Sequence, residues 1–165
     1  MGDISANIGT KAAAVIAGSF LSGAMMSISI NAVPVMMDTI TDSPQLLNQW
    51  ARTFYYGIRT FPAISVTTAL LYGYIALNRS VVKRPWGIYV AAGVTTLTMV
   101  PFTWIFMDPT NQRLFILGAD VASAQVVELS EVQSLIQKWS WLHITRSLFP
   151  LLGAAIGMFA TVNHH

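Results

Sequence analysis

Four long stretches without charge constrain this chain of 165 residues more than any other feature. The uncharged stretches cover residues 12–37, 60–78, 85–107 and 147–163. A helix that crosses a bilayer needs about 20 predominantly apolar residues, and these stretches meet or approach that length. The pattern predicts an all-α integral membrane four-helix bundle, a single domain over residues 1–165, with a longer lumenal loop between helices three and four. We place the spans at about residues 12–35, 57–78, 86–106 and 139–162.

The composition supports lipid as the main solvent of this chain. Charged residues make up 10%, whereas a soluble domain carries roughly a quarter. The net charge of +2 is dispersed, and no basic run interleaves with aromatics as a nucleic-acid surface requires, so we expect no nucleic-acid partner. With no cysteine and three histidines, two of them being His164 and His165, a metal site rich in histidine or thiolate cannot be assembled.

The basic residues predict an orientation. Arg79, Lys83 and Arg84 lie in the short connection between the second and third stretches, which contains no acid. Because short cytoplasmic loops carry an excess of Lys and Arg, this connection and both termini are predicted to be cytoplasmic. The two longer connections, about residues 38–50 and 108–138, would then face the lumen or exterior.

The entry to the fourth stretch carries the strongest functional pattern. Ser130 and Gln133 form a capping-box pattern, from which a helix can run unbroken into the membrane. Trp139, His143 and Arg146 lie at i, i+4 and i+7 and share one helical face. Ionisable residues within a membrane usually mark a functional site inside the bundle. The alternative is that Arg146 snorkels to the interface and His143 is an interfacial hydrogen-bonding residue.

Polar and aromatic residues of the other stretches gather on the same side of the predicted membrane. They are Asn31, Asp38, Trp50, Arg52, Tyr56, Arg59, Thr103, Trp104, Asp108, Asn111 and Arg113. This gathering predicts an aromatic-lined pocket that opens toward the lumenal interface, with a histidine as base and arginines that can hold an oxyanion. From the residues alone we expect a small apolar or aromatic ligand and acid–base chemistry without a built-in cofactor.

Four strings carry a family resemblance that covers essentially the whole chain. They are LSGAMMSISINAVP (21–34), NQWARTFYYGIRTFP (48–62), PFTWIFMDPTNQRL (101–114) and KWSWLHITRSLFP (138–150). In order and spacing they resemble the anthrone oxygenase family, small four-span membrane proteins of fungal polyketide pathways. The resemblance implies oxidation of a polyketide anthrone to an anthraquinone, with O2 as co-substrate and no metal or organic cofactor. It also implies residence in the endoplasmic reticulum.

The resemblance suggests roles for the residues of the predicted pocket. His143 would act as the base, and Arg146, Arg59 and Asn111 would hold the oxyanion. The predicted substrate-binding residues are Trp50, Trp139, Asn31, Tyr56, Thr103, Trp104, Arg113 and Asp108. Two alternatives stay open: Trp50 and Trp139 anchor the helices without touching a ligand, and Asp108 is only a loop residue.

Other functions fit the same pattern. One is a non-catalytic membrane carrier for a hydrophobic aromatic ligand, and another is a cofactor-free isomerase or cyclase of a lipophilic substrate. A structural four-span protein fits less well, because its outer loops would usually contain a disulfide. The pairs Gly18/Ser22 and Gly23/Ser27 permit close helix packing, either within the bundle or in a homo-oligomer.

Overall fold

The computed structural model describes the backbone of residues 2–163 and the side chains of residues 8–163, so the two C-terminal histidines lie outside the described residues. The helices are α1 Gly2–Ser27, α2 Val33–Thr39, α3 Ser43–Val81, α4 Gly87–Leu97, α5 Met99–Phe102, α6 Asp108–Ala122 and α7 Leu129–Asn163. Together they form four helices long and apolar enough to cross a membrane: span 1 Ile8–Thr39, span 2 Ser43–Val81, span 3 Gly87–Ala122 and span 4 Leu129–Asn163. The prediction of an all-α four-span bundle is confirmed.

The connections between the spans are short because the helices extend well past the uncharged stretches. Residues 40–42 and 123–128 connect the spans at one end of the bundle, which we call the upper end. Residues 82–86 connect spans 2 and 3 at the other, lower end. About half of the segment predicted as a longer loop forms α6, which buries Asn111, Leu114 and Leu117 at helical spacing, and residues 129–138 belong to α7.

Span 4 follows the sequence prediction closely. Its helix begins at Leu129, one residue from the predicted cap Ser130, and runs without interruption through His143 and Arg146. Pro150 lies inside this helix, where its missing N–H leaves a backbone carbonyl one turn upstream without its usual donor. A single continuous helix therefore positions both His143 and Arg146.

Two spans contain a π-helical segment. Residues Ile28–Ala32 form one in span 1, and Thr103–Met107 form the other in span 3. In each, a backbone N–H bonds the carbonyl five residues earlier, from Val33 to Ile28 and from Asp108 to Thr103. A π segment adds one residue to a helical turn and changes which side chains face inward beyond it; such segments are frequent at functional sites.

The spans approach one another most closely in the lower half of the bundle. A Cβ added at Gly18 would lie 3.3 Å from the Cβ of Ala154, and one added at Gly157 would overlap the Tyr72 ring. The Tyr72 hydroxyl donates a hydrogen bond of 3.3 Å to the carbonyl of Gly153. Span 4 therefore packs tightly against spans 1 and 2, as small residues at a membrane-helix interface allow. Gly23 has no atom within 4 Å of an added Cβ, so its face is free of contacts inside the bundle.

The core forms three layers along the bundle axis. The upper layer contains Trp50, Met107 and Trp139 among its members. The middle layer consists of Leu21, Met25, Phe61 and Met99, and the lower layer surrounds Tyr72 and Tyr89. His143 lies between the upper and middle layers, because its ring contacts those of Trp139 and Phe61.

Candidate functional site

A cavity of about 180 Å³ opens between the upper and middle layers. All four spans contribute to its wall. The apolar part consists of Ile28, Phe54, Gly57, Ile58, Phe61, Pro62, Met99, Val100 and Met107. The part that carries polar atoms consists of Thr53, Thr103, Trp104, Asp108, Asn111, Trp139, His143 and Arg146. An apolar cavity with a few convergent polar groups is the usual form of a small-molecule site.

The cavity reaches the outer surface of the bundle between spans 2 and 3. Ile58 of span 2 and Trp104 of span 3 both line it, yet their side chains are 54% and 73% exposed. The neighbouring outward-facing residues Ile105 and Phe106 are also large and apolar. This side of the bundle is therefore a surface suited to contact with lipid. Ile58 and Trp104 form the rim of the cavity on that surface.

His143 is held on three sides and is 1% exposed. Trp139, one turn earlier on the same helix, stacks on its ring with the centroids 4.6 Å apart. The ring centroid of Phe61 in span 2 lies 6.2 Å from that of His143. The Nδ1 atom of His143 lies 3.3 Å from the hydroxyl oxygen of Ser29 in span 1. These contacts fix the ring plane and direct one edge of the imidazole into the cavity.

Arg146 reaches across the cavity to span 3. Its Nη1 donates a hydrogen bond of 2.9 Å to the Thr103 hydroxyl oxygen. That hydroxyl donates in turn to the carbonyl of Met99 at 2.8 Å, so its lone pairs are free to accept from the guanidinium. No carboxylate pairs with Arg146 among residues 8–163, where Arg113 and Glu131 form the observed ion pair. The positive charge of Arg146 is therefore available to an anion in the cavity.

Three buried polar atoms of the cavity wall have no hydrogen-bond partner among the described side chains and backbone. They are the Nε atom of Arg146, the indole Nε1 of Trp139 and the Oδ1 of Asn111. Buried polar groups in folded proteins are nearly always paired, so a set of three around one cavity calls for a partner from outside the chain. Two donors and one acceptor suit a ligand that carries both an oxygen acceptor and a hydroxyl.

The structure brings seven of the predicted site residues together in this cavity. They are Thr103, Trp104, Asp108, Asn111, Trp139, His143 and Arg146. Trp50 lies just behind this wall, fully buried, with its ring 6.2 Å from that of Trp139. Asp108 accepts a hydrogen bond from Gln112 one turn later in α6, so it begins a helix rather than lying in a loop.

Four other predicted site residues lie away from the cavity. The guanidinium of Arg59 stacks on the Tyr55 ring, with Cζ 3.5 Å from the centroid. Tyr56 is 62% exposed and lines a separate, shallow depression of the surface. Asn31 is exposed and donates to the Ser27 hydroxyl. Arg113 forms its ion pair with Glu131 across spans 3 and 4.

Sequence reasoning missed several contributors to the site. Ser29, which contacts His143, lies in the small-residue string of span 1 and was not among the predicted site residues. Phe61, Met99 and Met107 form much of the apolar wall, but an apolar residue in a membrane helix gives no signal of its own. The one clue was the run SISIN in span 1, where Ser27, Ser29 and Asn31 alternate with isoleucine.

No group of three or more His, Asp or Glu side chains within residues 8–163 lies close enough to hold a metal ion. The cavity supplies one imidazole, one unpaired guanidinium and one partly buried carboxylate, that of Asp108. Its polar chemistry is therefore that of a proton acceptor beside a fixed positive charge.

Comparison with known proteins places the chain in a family. A sequence model described as anthrone oxygenase matches residues 50–156, from Trp50 in the second span to Ile156 in the fourth. The chain belongs to the anthrone oxygenase family. The match covers every residue that lines the cavity except Ile28.

Individual members of the anthrone oxygenase family are similar over nearly the whole chain. An anthrone oxygenase of Aspergillus novofumigatus is 52% identical over 153 residues, which cover 92% of this chain and 93% of the relative. An anthrone oxygenase of Paecilomyces divaricatus is 48% identical over 89% of this chain and 92% of its own. A noranthrone monooxygenase of Aspergillus flavus is 43% identical over 92% of this chain and 72% of its own. No solved structure matches this chain.

Proposed function

We propose that this protein oxidises a polyketide anthrone to the corresponding anthraquinone with O2, in the cavity between its four spans. The observation that carries the proposal is the placement of His143 beside the unpaired Arg146 on the wall of an otherwise largely apolar cavity. Relatives covering about nine-tenths of the chain are named as anthrone oxygenases, which supports the substrate class and the reaction.

The first step is removal of a proton. A tricyclic anthrone carries an acidic central methylene opposite a ring carbonyl, and loss of its proton gives an aromatic oxyanion. His143 accepts the proton from the methylene carbon, and the electron pair of the broken C–H bond spreads onto the carbonyl oxygen. Arg146 stabilises the charge that develops there, as fixed donors do at an oxyanion site. The indole N–H of Trp139, which has no partner among the described residues, provides a second donor.

The second step is transfer of electrons to oxygen. The electron-rich anion gives one electron to O2, and the substrate radical and superoxide combine to form a carbon–oxygen bond. The resulting peroxide takes back the proton from His143. Loss of the remaining methylene proton and cleavage of the O–O bond release water and leave a second ring carbonyl. Anthrone and O2 thus give anthraquinone and water, and all the electrons come from the substrate.

We propose that the reaction uses no metal or organic cofactor. The sequence contains no cysteine and three histidines, and the substrate anion can itself reduce O2. The protein's part is to remove a proton, hold an anion and orient the flat rings against aromatic walls. Phe54, Phe61 and Trp139 provide those walls.

The decisive experiment measures O2 uptake by the purified, chelator-treated protein given emodin anthrone, with spontaneous oxidation subtracted. We expect uptake well above background in the native protein and a loss of about 10²–10⁴-fold with His143→Ala, the usual contribution of a general base. Uptake equal to background with bound ligand retained would favour a membrane carrier. Conversion of a lipophilic substrate without O2 consumption would favour an isomerase or cyclase.

The basic residues at the lower end of the bundle suggest how the protein is oriented in its membrane. We propose that the protein resides in the endoplasmic reticulum, as the family resemblance implies. Because Arg79, Lys83 and Arg84 cluster at the lower end, we place both termini in the cytoplasm. The cavity then lies toward the lumenal half of the bilayer. A glycosylation acceptor inserted at residues 123–128 is expected to be modified, and one inserted at 82–86 is not; the reverse pattern would invert the topology.

A further inference from the structure

We propose that Ser29 is a positioning residue that fixes the tautomer of His143, with the proton on Nδ1 and the lone pair of Nε2 facing the cavity. The proposal rests on the role of His143 as the base, since only the unprotonated nitrogen can accept a proton. It adds to the site a residue of span 1, which lies outside the matched region of the family and does not itself line the cavity.

The hydrogen bonds of Ser29 favour one direction for its contact with His143. Its hydroxyl donates to the backbone carbonyl of Ser140 at 3.2 Å and lies 3.3 Å from His143 Nδ1. A serine hydroxyl has a single hydrogen, and a carbonyl can only accept. Once that hydrogen is directed to Ser140, the contact with the imidazole is made by an N–H of His143 donating to the serine oxygen. Nδ1 then carries the ring proton and Nε2 is bare.

The charges of the cavity favour the same tautomer. Arg146 and Trp139 supply N–H donors with no partner among the described residues, and Arg146 adds a positive charge on the same helical face as His143. A lone pair directed into such surroundings is stabilised, whereas an additional N–H would be one more donor beside a cation. The two sides of the ring therefore agree: the Ser29 oxygen lies at Nδ1, and the cavity on the other side carries the N–H donors of Arg146 and Trp139.

Within the π-helical segment of span 1, the Ser29 hydroxyl donates its hydrogen bond to another helix. Serine and threonine hydroxyls in these helices mostly donate to a carbonyl of their own helix three or four residues earlier, as Thr67 does to Ala63. Ser29 lies within Ile28–Ala32 and instead donates across to span 4. The Ser140 hydroxyl donates back to the Ser29 carbonyl at 3.4 Å. This reciprocal pair joins spans 1 and 4 beside the His143 ring.

The tautomer can be observed without turnover. The full chain, labelled with ¹⁵N-histidine in detergent or bilayers, gives ring-nitrogen signals, and the spectrum of His143→Gln identifies those of His143. We expect a protonated Nδ1 and a bare Nε2 in the native protein. Ser29→Ala should mix or reverse the tautomers, and Ser140→Ala should not, because the Ser140 carbonyl remains. A protonated Nε2 in the native protein would overturn the proposal.

The kcat and KM values of Ser29 variants distinguish a role in positioning His143 from a role in general folding stability. Ser29→Ala is expected to lower kcat by about 10–100-fold, as loss of a partner that orients a functional histidine commonly does, with KM little changed. Ser29→Thr keeps the hydroxyl and should recover most of kcat. Ser65→Ala is the matched control, because Ser65 is equally buried and donates across spans to the Thr96 carbonyl away from the cavity.

Either of two results would contradict the positioning role. One is an equal loss of kcat in Ser65→Ala, which would indicate a general effect of removing an interspan hydrogen bond. The other is native kcat in a folded Ser29→Ala variant. Because the tautomer is read from the protein alone, a failure of the anthrone assay would refute the proposed function while leaving the assignment of the ring proton intact.

Discussion

At the scale of single residues, the candidate site depends on hydroxyl groups that hold the two ionisable side chains from opposite sides. Ser29 of span 1 contacts His143, and Thr103 of span 3 accepts from Arg146. Each hydroxyl donates its hydrogen bond to a backbone carbonyl: Ser29 donates to that of Ser140, and Thr103 donates to that of Met99. Both therefore offer lone pairs to a nitrogen donor, and they fix positions without adding charge to an apolar cavity.

Thr103→Val tests the second of these contacts. The change keeps the shape of the side chain and removes the acceptor of Arg146 Nη1, so the guanidinium is no longer held at one place. A hydrogen bond to a charged group contributes about 1.5–3 kcal/mol, and we expect kcat/KM for the anthrone to fall by roughly 10–100-fold. Steady-state O2 uptake at varied anthrone concentration measures this change in kcat/KM.

Thr103→Ser is the control for this prediction, because it retains the hydroxyl and loses only a methyl group. It should keep most of the native kcat/KM. Equal losses in both variants would show that the methyl packing of Thr103 matters more than its hydrogen bond to Arg146.

The sequence predicts the residue pattern of span 4 well and that of the other spans less well. Trp139, His143 and Arg146 share a face because an unbroken helix links them, and spacing alone is enough to show this. Arg59 and Asn31 carry suitable chemistry, but their direction depends on how spans 1 and 2 are rotated against their neighbours. Nothing local to a chemically featureless apolar helix specifies that rotation, so Arg59 stacks on Tyr55 and Asn31 bonds Ser27 instead.

At the scale of the helices, the two π segments decide which residues of spans 1 and 3 face inward. The segment Thr103–Met107 separates Thr103, which holds Arg146, from Asp108 and Asn111, which line the cavity farther up. One extra residue in a turn is not visible in hydropathy, which explains why these segments escaped prediction. Pro101 lies just before this segment, and Pro34 lies just after that of span 1.

Deletion of Ile105 tests the importance of this register. An α-helix turns about 100° per residue, so removing one residue should restore regular helix and rotate Asn111 and Met107 away from the cavity relative to Thr103. We expect O2 uptake to fall to near background while helical content by circular dichroism is retained. Ile105→Ala changes only an exposed side chain and should stay close to native activity, and native activity in the deletion variant would rule out the register argument.

The glycines of span 4 provide a prediction about helix packing. Gly157→Ala would place a methyl group into the ring of Tyr72, and over-packing of this kind typically costs about 1–3 kcal/mol. We expect a lower thermal unfolding midpoint in detergent, measured by intrinsic fluorescence. Gly73→Ala is the matched control, because nothing lies within 4 Å of its added Cβ; an equal loss there would show that the clash is not the cause.

At the scale of the whole molecule, the bundle separates two tasks. Its lower half is closely packed around Tyr72, Gly153 and Gly157. Its upper half contains the cavity, and the short connections and the ion pair of Arg113 with Glu131 join the spans above it. Rigid packing below and an open volume above allow a chain of this length to hold four spans and still keep room for a ligand.

The rim formed by Ile58 and Trp104 has a kinetic consequence. A flat polyketide dissolves far better among acyl chains than in water, and a rim on the lipid-facing side lets it diffuse in laterally from the bilayer. The relevant concentration is then the mole fraction of substrate in the membrane. At a fixed total amount of anthrone, adding empty vesicles should slow turnover by surface dilution, whereas adding buffer alone should leave the rate per protein nearly unchanged.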